Sequence, residues 1–176
     1  RSFSALSLAS IAARDNAEPF LTAAEHRALV DAALAYLGAE RDLRGFDDRL
    51  GWIHSAAHTA DLLKFLARSP HLTVSQQGAV LGAISTKMHE AAVVLTFGED
   101  ERFARAIGSI IIRADFDLPG FRDWVSRTAA PMSGKTTAAG LRAHQNALNL
   151  LSKLGVLLAR QPTLSARRIG WSWQSG

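Results

Sequence analysis

Carboxylates, arginines, histidines and a tryptophan occur close together in one stretch of this sequence, between Glu40 and Asp61. The flanking segments consist mainly of alanine, leucine and other helix-forming residues. Imidazole and carboxylate groups can bind a metal ion, transfer protons or pair with arginine. The sequence therefore predicts its functional site in this stretch.

The second half of the stretch predicts a helix from about Leu50 to Arg68. At about 100° per residue, His54, His58 and Asp61 fall within roughly 60° of one another on one face of that helix. The opposite side carries the residues that are expected to face the core, which are Trp52, Ala56, Leu63 and Leu66.

The first half of the stretch, from Glu40 to Gly51, predicts a loop that returns the chain to the start of the helix. Gly45 and Gly51 are expected to mark points of unusual backbone geometry in this loop. The loop could bring three further charged groups near the histidines, namely Glu40, Asp42 and Arg44.

Three interpretations of these side chains remain open. In the first, His54 and His58 bind a divalent metal such as zinc, manganese or iron, and Asp61 or a loop carboxylate completes the ligand set. In the second, the polar groups form a structural network in which Arg44 pairs with a carboxylate and holds the loop in place. In the third, a histidine acts as a general base oriented by Asp61, although no nucleophile can be identified.

The order of residues in this stretch is similar to the hallmark of an uncharacterised bacterial family of the DUF2785 type. The matching residues are Glu40, Asp42, Arg44, Gly45, Gly51, Trp52, His54, His58 and Asp61. Weaker similarities lie in the turn at Glu99–Arg102 and around Asn146 and Asn149 in the last predicted helix. The resemblance implies an all-helical, HEAT-like protein that is longer than this chain, with a further helical region upstream. It implies no particular activity.

Composition limits the classes of function that need to be considered. The 176 residues suffice for one hydrophobic core, and the net charge of +4 is too small to argue for nucleic-acid binding. The absence of cysteine excludes disulfides, thiolate metal sites and a cysteine nucleophile, and it fits a reducing compartment such as the cytoplasm. No apolar run reaches the roughly 18 residues that a transmembrane helix needs.

Apolar periodicity and helix-capping residues predict the elements that position these groups. We expect an all-α fold of about seven helices without a sheet, arranged as a HEAT-like stack of antiparallel helix pairs in a single domain over 1–176. The chain is expected to be the C-terminal part of a longer protein and to end in an irregular tail over 162–176. The predicted helices cover about 2–14, 22–39, 50–68, 73–92, 99–117, 121–128 and 137–159.

The leading functional expectation is a helical scaffold that binds an unknown protein or a small-molecule ligand. Its recognition site would comprise Glu40, Asp42, Arg44, Trp52, His54, His58 and Asp61. The alternative is a metal-dependent hydrolase that uses the cluster of His54, His58 and Asp61.

Overall fold

The computed structural model describes residues 2–130 and 137–160, so the predicted irregular tail over 162–176 lies outside the described residues. Within these ranges the chain forms seven helices and one two-stranded hairpin, which confirms the all-α class and corrects the expectation that no strands are present. The helices are α1 (Ser2–Ala17), α2 (Ala23–Ala39), α3 (Ser55–Leu66), α4 (Val74–Glu90), α5 (Glu99–Ile111), α6 (Leu118–Ala129) and α7 (Ala138–Ala159). The strands are β1 (Phe46–Asp47) and β2 (Gly51–Trp52).

The helices pack in two layers that alternate along the chain. Helices α1, α3, α5 and α7 lie side by side in that order, and α2, α4 and α6 form a second layer that packs against them. The side chains enclosed between and within the layers form one continuous apolar core, whose largest fully buried members include Leu63, Ile84, Phe103, Ile107 and Phe121. None of the described helices is long and apolar enough to span a bilayer.

Local hydrogen bonds explain several of the helix ends. Thr22 and Glu25 form a capping box at the start of α2, and Thr73 forms a second one with Gln76 at the start of α4. Helix α6 begins at Leu118, earlier than the predicted start at about residue 121, because the Asp117 side chain caps it by accepting from the Gly120 amide. Proline is compatible with the first turn of a helix because the amide that it lacks has no partner within the helix.

Helix α3 begins later than the periodicity predicts, and the prediction for Trp52 is wrong. Gly51 has a φ of 75°, and His54 adopts the left-handed conformation with a φ of 46°, so no regular helix can pass through them. The residues before α3 instead form the antiparallel hairpin in which Phe46 pairs with Trp52. Trp52 therefore lies outside the core and is 53% exposed, whereas Leu63 is buried as predicted.

A buried amide fixes the segment between α4 and α5. The side chain of Asn146, on α7, accepts a hydrogen bond from the Leu95 backbone amide at 2.9 Å and donates to the Val93 carbonyl at 3.0 Å and the Met88 carbonyl at 3.3 Å. This segment ends at Phe97, immediately before α5. The position of Phe97 therefore depends on a side chain that lies about fifty residues later in the sequence.

Candidate functional site

The loop carboxylate Asp42 pairs with Arg44, as the structural interpretation predicts. The Arg44 guanidinium donates to Asp42 through Nε and Nη2 at 2.8 and 2.7 Å, and to Asp47 through Nη1 at 2.7 Å. The hydrogen bond from Arg44 holds the pKa of Asp42 below its ordinary value, while the pKa of Arg44 is raised by the same contact. Both side chains are largely exposed, at 52% for Arg44 and 41% for Asp42, so the network is a surface clamp on the loop.

Glu40 is held separately at the end of α2. The Tyr36 hydroxyl donates to its carboxylate at 2.7 Å, and the backbone amide of Asp42 donates to it at 2.8 Å. Burial by itself would raise the pKa of Glu40, but these hydrogen bonds outweigh burial and the pKa lies below its ordinary value. The buried Lys87 ammonium donates to the Glu40 backbone carbonyl at 3.0 Å. Glu40 thus joins the end of α2 to the start of the loop and to α4.

The two histidines lie close together beneath an aromatic cluster that consists of Trp52 and Phe97. The rings of His54 and His58 have centroids 6.0 Å apart, and the Trp52 ring lies 4.4 Å from that of His54. Both histidines are buried, whereas Trp52 and Phe97 are exposed with their rings 6.2 Å apart. The structure therefore confirms the predicted proximity of the histidines, although His54 precedes the helix.

A backbone carbonyl fixes the orientation of the His54 ring. Its Nε2 lies 3.1 Å from the Phe97 carbonyl oxygen, which can only accept, so Nε2 carries the proton of this hydrogen bond. The same nitrogen is 3.8 Å from the buried carboxylate of Glu99, which accepts a hydrogen bond from the Phe97 amide at 2.9 Å. His54 thus donates to the Phe97 carbonyl and Glu99 accepts from the Phe97 amide, so the two side chains together fix the backbone of Phe97.

Asp61 faces α5 and makes its ion pair there, apart from the loop residues. Its carboxylate pairs with Arg102 of α5 and accepts a hydrogen bond from Lys64 at 3.2 Å. Among residues 2–130 and 137–160, no three His, Asp or Glu side chains come close enough together to hold a metal ion. Asp61 belongs to a second region, whose lining includes Lys64 and Arg102 but neither His54 nor His58, and a metal site of His54, His58 and Asp61 stays a prediction.

That second region is a cleft of about 710 Å³ between α1 and α5, with α3 at its base. Apolar side chains from α1, from α3 and from the segment before α5 contribute to its walls, together with charged side chains from α3 and α5. The lining residues are Leu6, Ala9, Ser10 and Ala13 from α1, Asp61, Lys64 and Phe65 from α3, Phe97 and Gly98 just before α5, and Glu101, Arg102 and Arg105 within α5.

Sequence reasoning did not identify the α5 residues as part of a site. Arg102 and Arg105 lie about forty residues from Asp61 in the sequence, so only helix packing brings them to the same cleft. The signal that could have found them was the similarity of the Glu99–Arg102 turn to the family hallmark. The exposed Phe97 carried no signal, because a single aromatic residue before a helix is as compatible with the core as with the surface.

Comparison with known proteins gives one match. The family described as "Protein of unknown function (DUF2785)" matches residues 1–158, which agrees with the resemblance of the motif. No curated protein and no solved structure matches the chain.

Proposed function

The chain belongs to the DUF2785 family, and from this premise we propose that it is a non-catalytic binding scaffold that receives its ligand in the cleft between α1 and α5. The observation that carries the proposal is the cleft itself, whose volume of about 710 Å³ lies in the range of ligand-binding sites. Its lining is more polar than that of most small-molecule sites, because charged side chains such as Lys64, Arg102 and Arg105 stand beside the apolar ones.

The cleft combines two kinds of contact that a ligand could use. Leu6, Phe65 and Phe97 offer apolar surface, since all three line the cleft. Arg102 offers a guanidinium that Asp61 already holds in place, so less side-chain entropy is lost when a ligand binds it. Both features favour a ligand that carries an anionic group beside an apolar one.

The loop from Glu40 to Gly51, which we call the motif loop, packs against the rim of this cleft. Gly45 lies directly against Phe97, and a side chain at position 45 would overlap the Cβ and ring atoms of Phe97. The Arg44 backbone carbonyl accepts from the His54 amide at 3.2 Å, which ties the loop to the start of α3. In this proposal, Glu40, Asp42 and Arg44 shape the loop, and Trp52, His54 and His58 support the aromatic rim at Phe97.

The metal-dependent hydrolase is the weaker alternative. It requires His54, His58 and a carboxylate to converge on one point, and Asp61 is paired with Arg102 and Lys64 in the cleft. In the described ranges, no group of three His, Asp or Glu side chains that could hold a metal ion adds support to this alternative.

The proposal can be tested by titrating isotopically labelled protein with a library of small carboxylate-bearing aromatic compounds and following backbone amide shifts. We expect the shifts to cluster at residues around Asp61, Phe97 and Arg102, and Ala13→Trp to abolish them because Ala13 lines the cleft. Ala17→Trp is the matched control, since Ala17 is an exposed residue of the same helix.

Two outcomes would contradict the binding-scaffold proposal. Shifts that map to another surface, or that persist in Ala13→Trp, would remove the cleft as the binding site. Binding that disappears when a chelator is added and returns with zinc or manganese would favour the metal-dependent alternative instead.

A further inference from the structure

The cleft is one part of a longer groove across the layer of α1, α3, α5 and α7. Two smaller cavities, of about 250 and 170 Å³, continue from it toward α7. Arg105 lines all three cavities, and Leu157 of α7 lines both of the smaller ones. A Cβ at Gly108 would lie 2.9 Å from Leu157, so glycine permits the close approach of α5 and α7 at this point.

The groove is strongly basic although the protein as a whole is only mildly so. Its carboxylates are Asp61 and Glu101, and no other described residue that lines it is acidic. The cationic residues that line it are Lys64, Arg68, Arg102, Arg105, Lys153 and Arg160. The groove thus has six cations against two carboxylates, an excess of four positive charges. This excess equals the net charge of the whole chain, which is +4.

Helical spacing produces this arrangement. Lys64 lies in the last turn of α3, and Arg68 follows in the turn just after that helix ends at Leu66. Arg102 and Arg105 are three residues apart and therefore lie on one face of α5. Lys153 and Arg160 are seven residues apart, or about two turns, at the end of α7. Stacking the three helices places the three faces next to one another.

Several of the cations are held in place before any partner binds. The Lys64 ammonium lies 4.3 Å from the centre of the Phe65 ring, and the Arg68 guanidinium lies 5.3 Å from it. Arg68 also donates to the Ser109 hydroxyl at 3.2 Å, which connects the turn after α3 to α5. The hydrogen bond from Arg105 to Glu101, together with the positive charge of Arg105, lowers the pKa of Glu101 below its ordinary value. The charges of Lys153 and Arg160 lower that pKa further.

We propose that this groove binds an acidic segment of a partner protein, laid across α1, α3, α5 and α7. The inference rests on the proposed function, because it assigns a partner to the same binding surface. Arginine side chains form paired hydrogen bonds with carboxylates, and a surplus of cations attracts a chain that carries several of them. With helix axes about 8–10 Å apart, the four helices span roughly 30 Å, which about ten extended residues can cross.

The composition of the groove favours a peptide over a nucleic acid. Asp61 and Glu101 stand within the groove, where a backbone with a phosphate at every nucleotide would meet repulsion. A peptide can place a neutral or apolar residue opposite each of these carboxylates. Leu6 and Phe97 then provide apolar contacts for leucine or phenylalanine side chains of the partner.

The test is a fluorescence-anisotropy titration of the whole chain with a labelled peptide of about ten residues in which Glu and Asp alternate with Leu and Phe. We expect saturable binding that weakens as salt is added, because the attraction is between charges. Arg105→Glu is expected to weaken binding by about tenfold or more, whereas Arg127→Glu, an exposed arginine of α6, should leave it within about twofold.

A variant that strengthens binding separates the proposal from a folding defect. Glu101→Gln removes a carboxylate from the groove, so we expect the acidic peptide to bind about two- to fivefold more tightly. Equal losses in Arg105→Glu and Arg127→Glu, or unchanged affinity in Glu101→Gln, would overturn the proposal. Tighter binding of a single-stranded oligouridylate of similar length would overturn it in favour of nucleic acid.

The two proposals can fail separately. If the acidic peptide does not bind while the small carboxylates still shift amides in the cleft, the acidic-partner inference is wrong and the binding scaffold stands. If neither probe binds and the protein is folded, both proposals are wrong.

Discussion

Two charged regions of this molecule differ in how their charges are compensated. In the motif loop, Arg44 pairs with Asp42 and Asp47, which are its near neighbours in the sequence. In the groove, Arg102 pairs with Asp61 across two helices, and further cations from α3, α5 and α7 gather around them. The loop satisfies its own charges, whereas the groove carries an excess.

This difference indicates which charged residues of a sequence are available to bind a partner. Opposite charges within a few residues can pair wherever the loop lies, so their density in the sequence indicates a local clamp. A charge excess forms only when helices that each carry a few like charges pack side by side. The most conspicuous motif of this chain therefore supports the site, and residues that look unremarkable in the sequence line it.

The segment that ends at Phe97 connects the two regions, so disrupting its anchor should disturb both. Asn146→Ala would leave the buried Leu95 amide without its acceptor and the Val93 carbonyl without its donor. We expect a loss of about 2–4 kcal/mol in the free energy of unfolding, measured by chemical denaturation, because unsatisfied buried polar groups are costly.

Asn149→Ala is the control for that experiment. Asn149 lies on the same helix, is only partly buried, and accepts from the exposed Gln145 side chain. We expect it to change stability by less than about 0.5 kcal/mol. Equal stability of the two variants would show that Asn146 does not hold the connecting segment.

A substitution at Gly45 tests the contact between the regions more narrowly. Gly45→Ala would press a methyl group into Phe97, and we expect a loss of about 1–3 kcal/mol together with amide shifts around Phe97. Gly38→Ala, in α2, meets no atom within 4 Å and should be neutral or stabilising by up to about 1 kcal/mol. If Gly45→Ala leaves the amides near Phe97 unchanged, the loop does not shape the rim of the cleft.

Removing one carboxylate from each region compares the two most directly. Asp42→Ala should cost less than about 1 kcal/mol, because the pair with Arg44 is exposed and solvent screens it. Asp61→Ala should cost about 1–3 kcal/mol, since Asp61 is only 13% exposed and its loss leaves Arg102 and Lys64 without their carboxylate.

The pH dependence of stability gives a further check on Asp42. Its pKa is lowered in the folded state, so its contribution is present above the unfolded pKa of about 4 and is lost as the pH falls through the folded value. Asp42→Ala should therefore reduce the loss of stability below about pH 4, as measured by denaturation at a series of pH values. A larger stability loss for Asp42→Ala than for Asp61→Ala at neutral pH would reverse the comparison.

The helices could be predicted where periodicity and caps act locally. The predicted helices over about 22–39 and 137–159 are confirmed, because each depends on a cap and on apolar residues within a few turns of one another. The prediction starts helix α3 too early, at about Leu50 instead of Ser55, because the apolar pattern of a strand and that of a helix are difficult to distinguish over a short segment. Gly45 was singled out for its backbone conformation, but its φ is not in the left-handed region, and the close approach of Phe97 is what requires glycine there.

The helical class, most helix ends and the pairing within the motif loop follow from the order of residues alone, because each depends on interactions between near neighbours in the chain. Tertiary structure decided that His54 takes a left-handed conformation, that Asp61 faces α5, and that the cations of three helices share one surface. These features depend on contacts between residues about forty or more positions apart. No local pattern encodes which helix faces will meet, so only the packing of the layers places Arg105 at the centre of the groove.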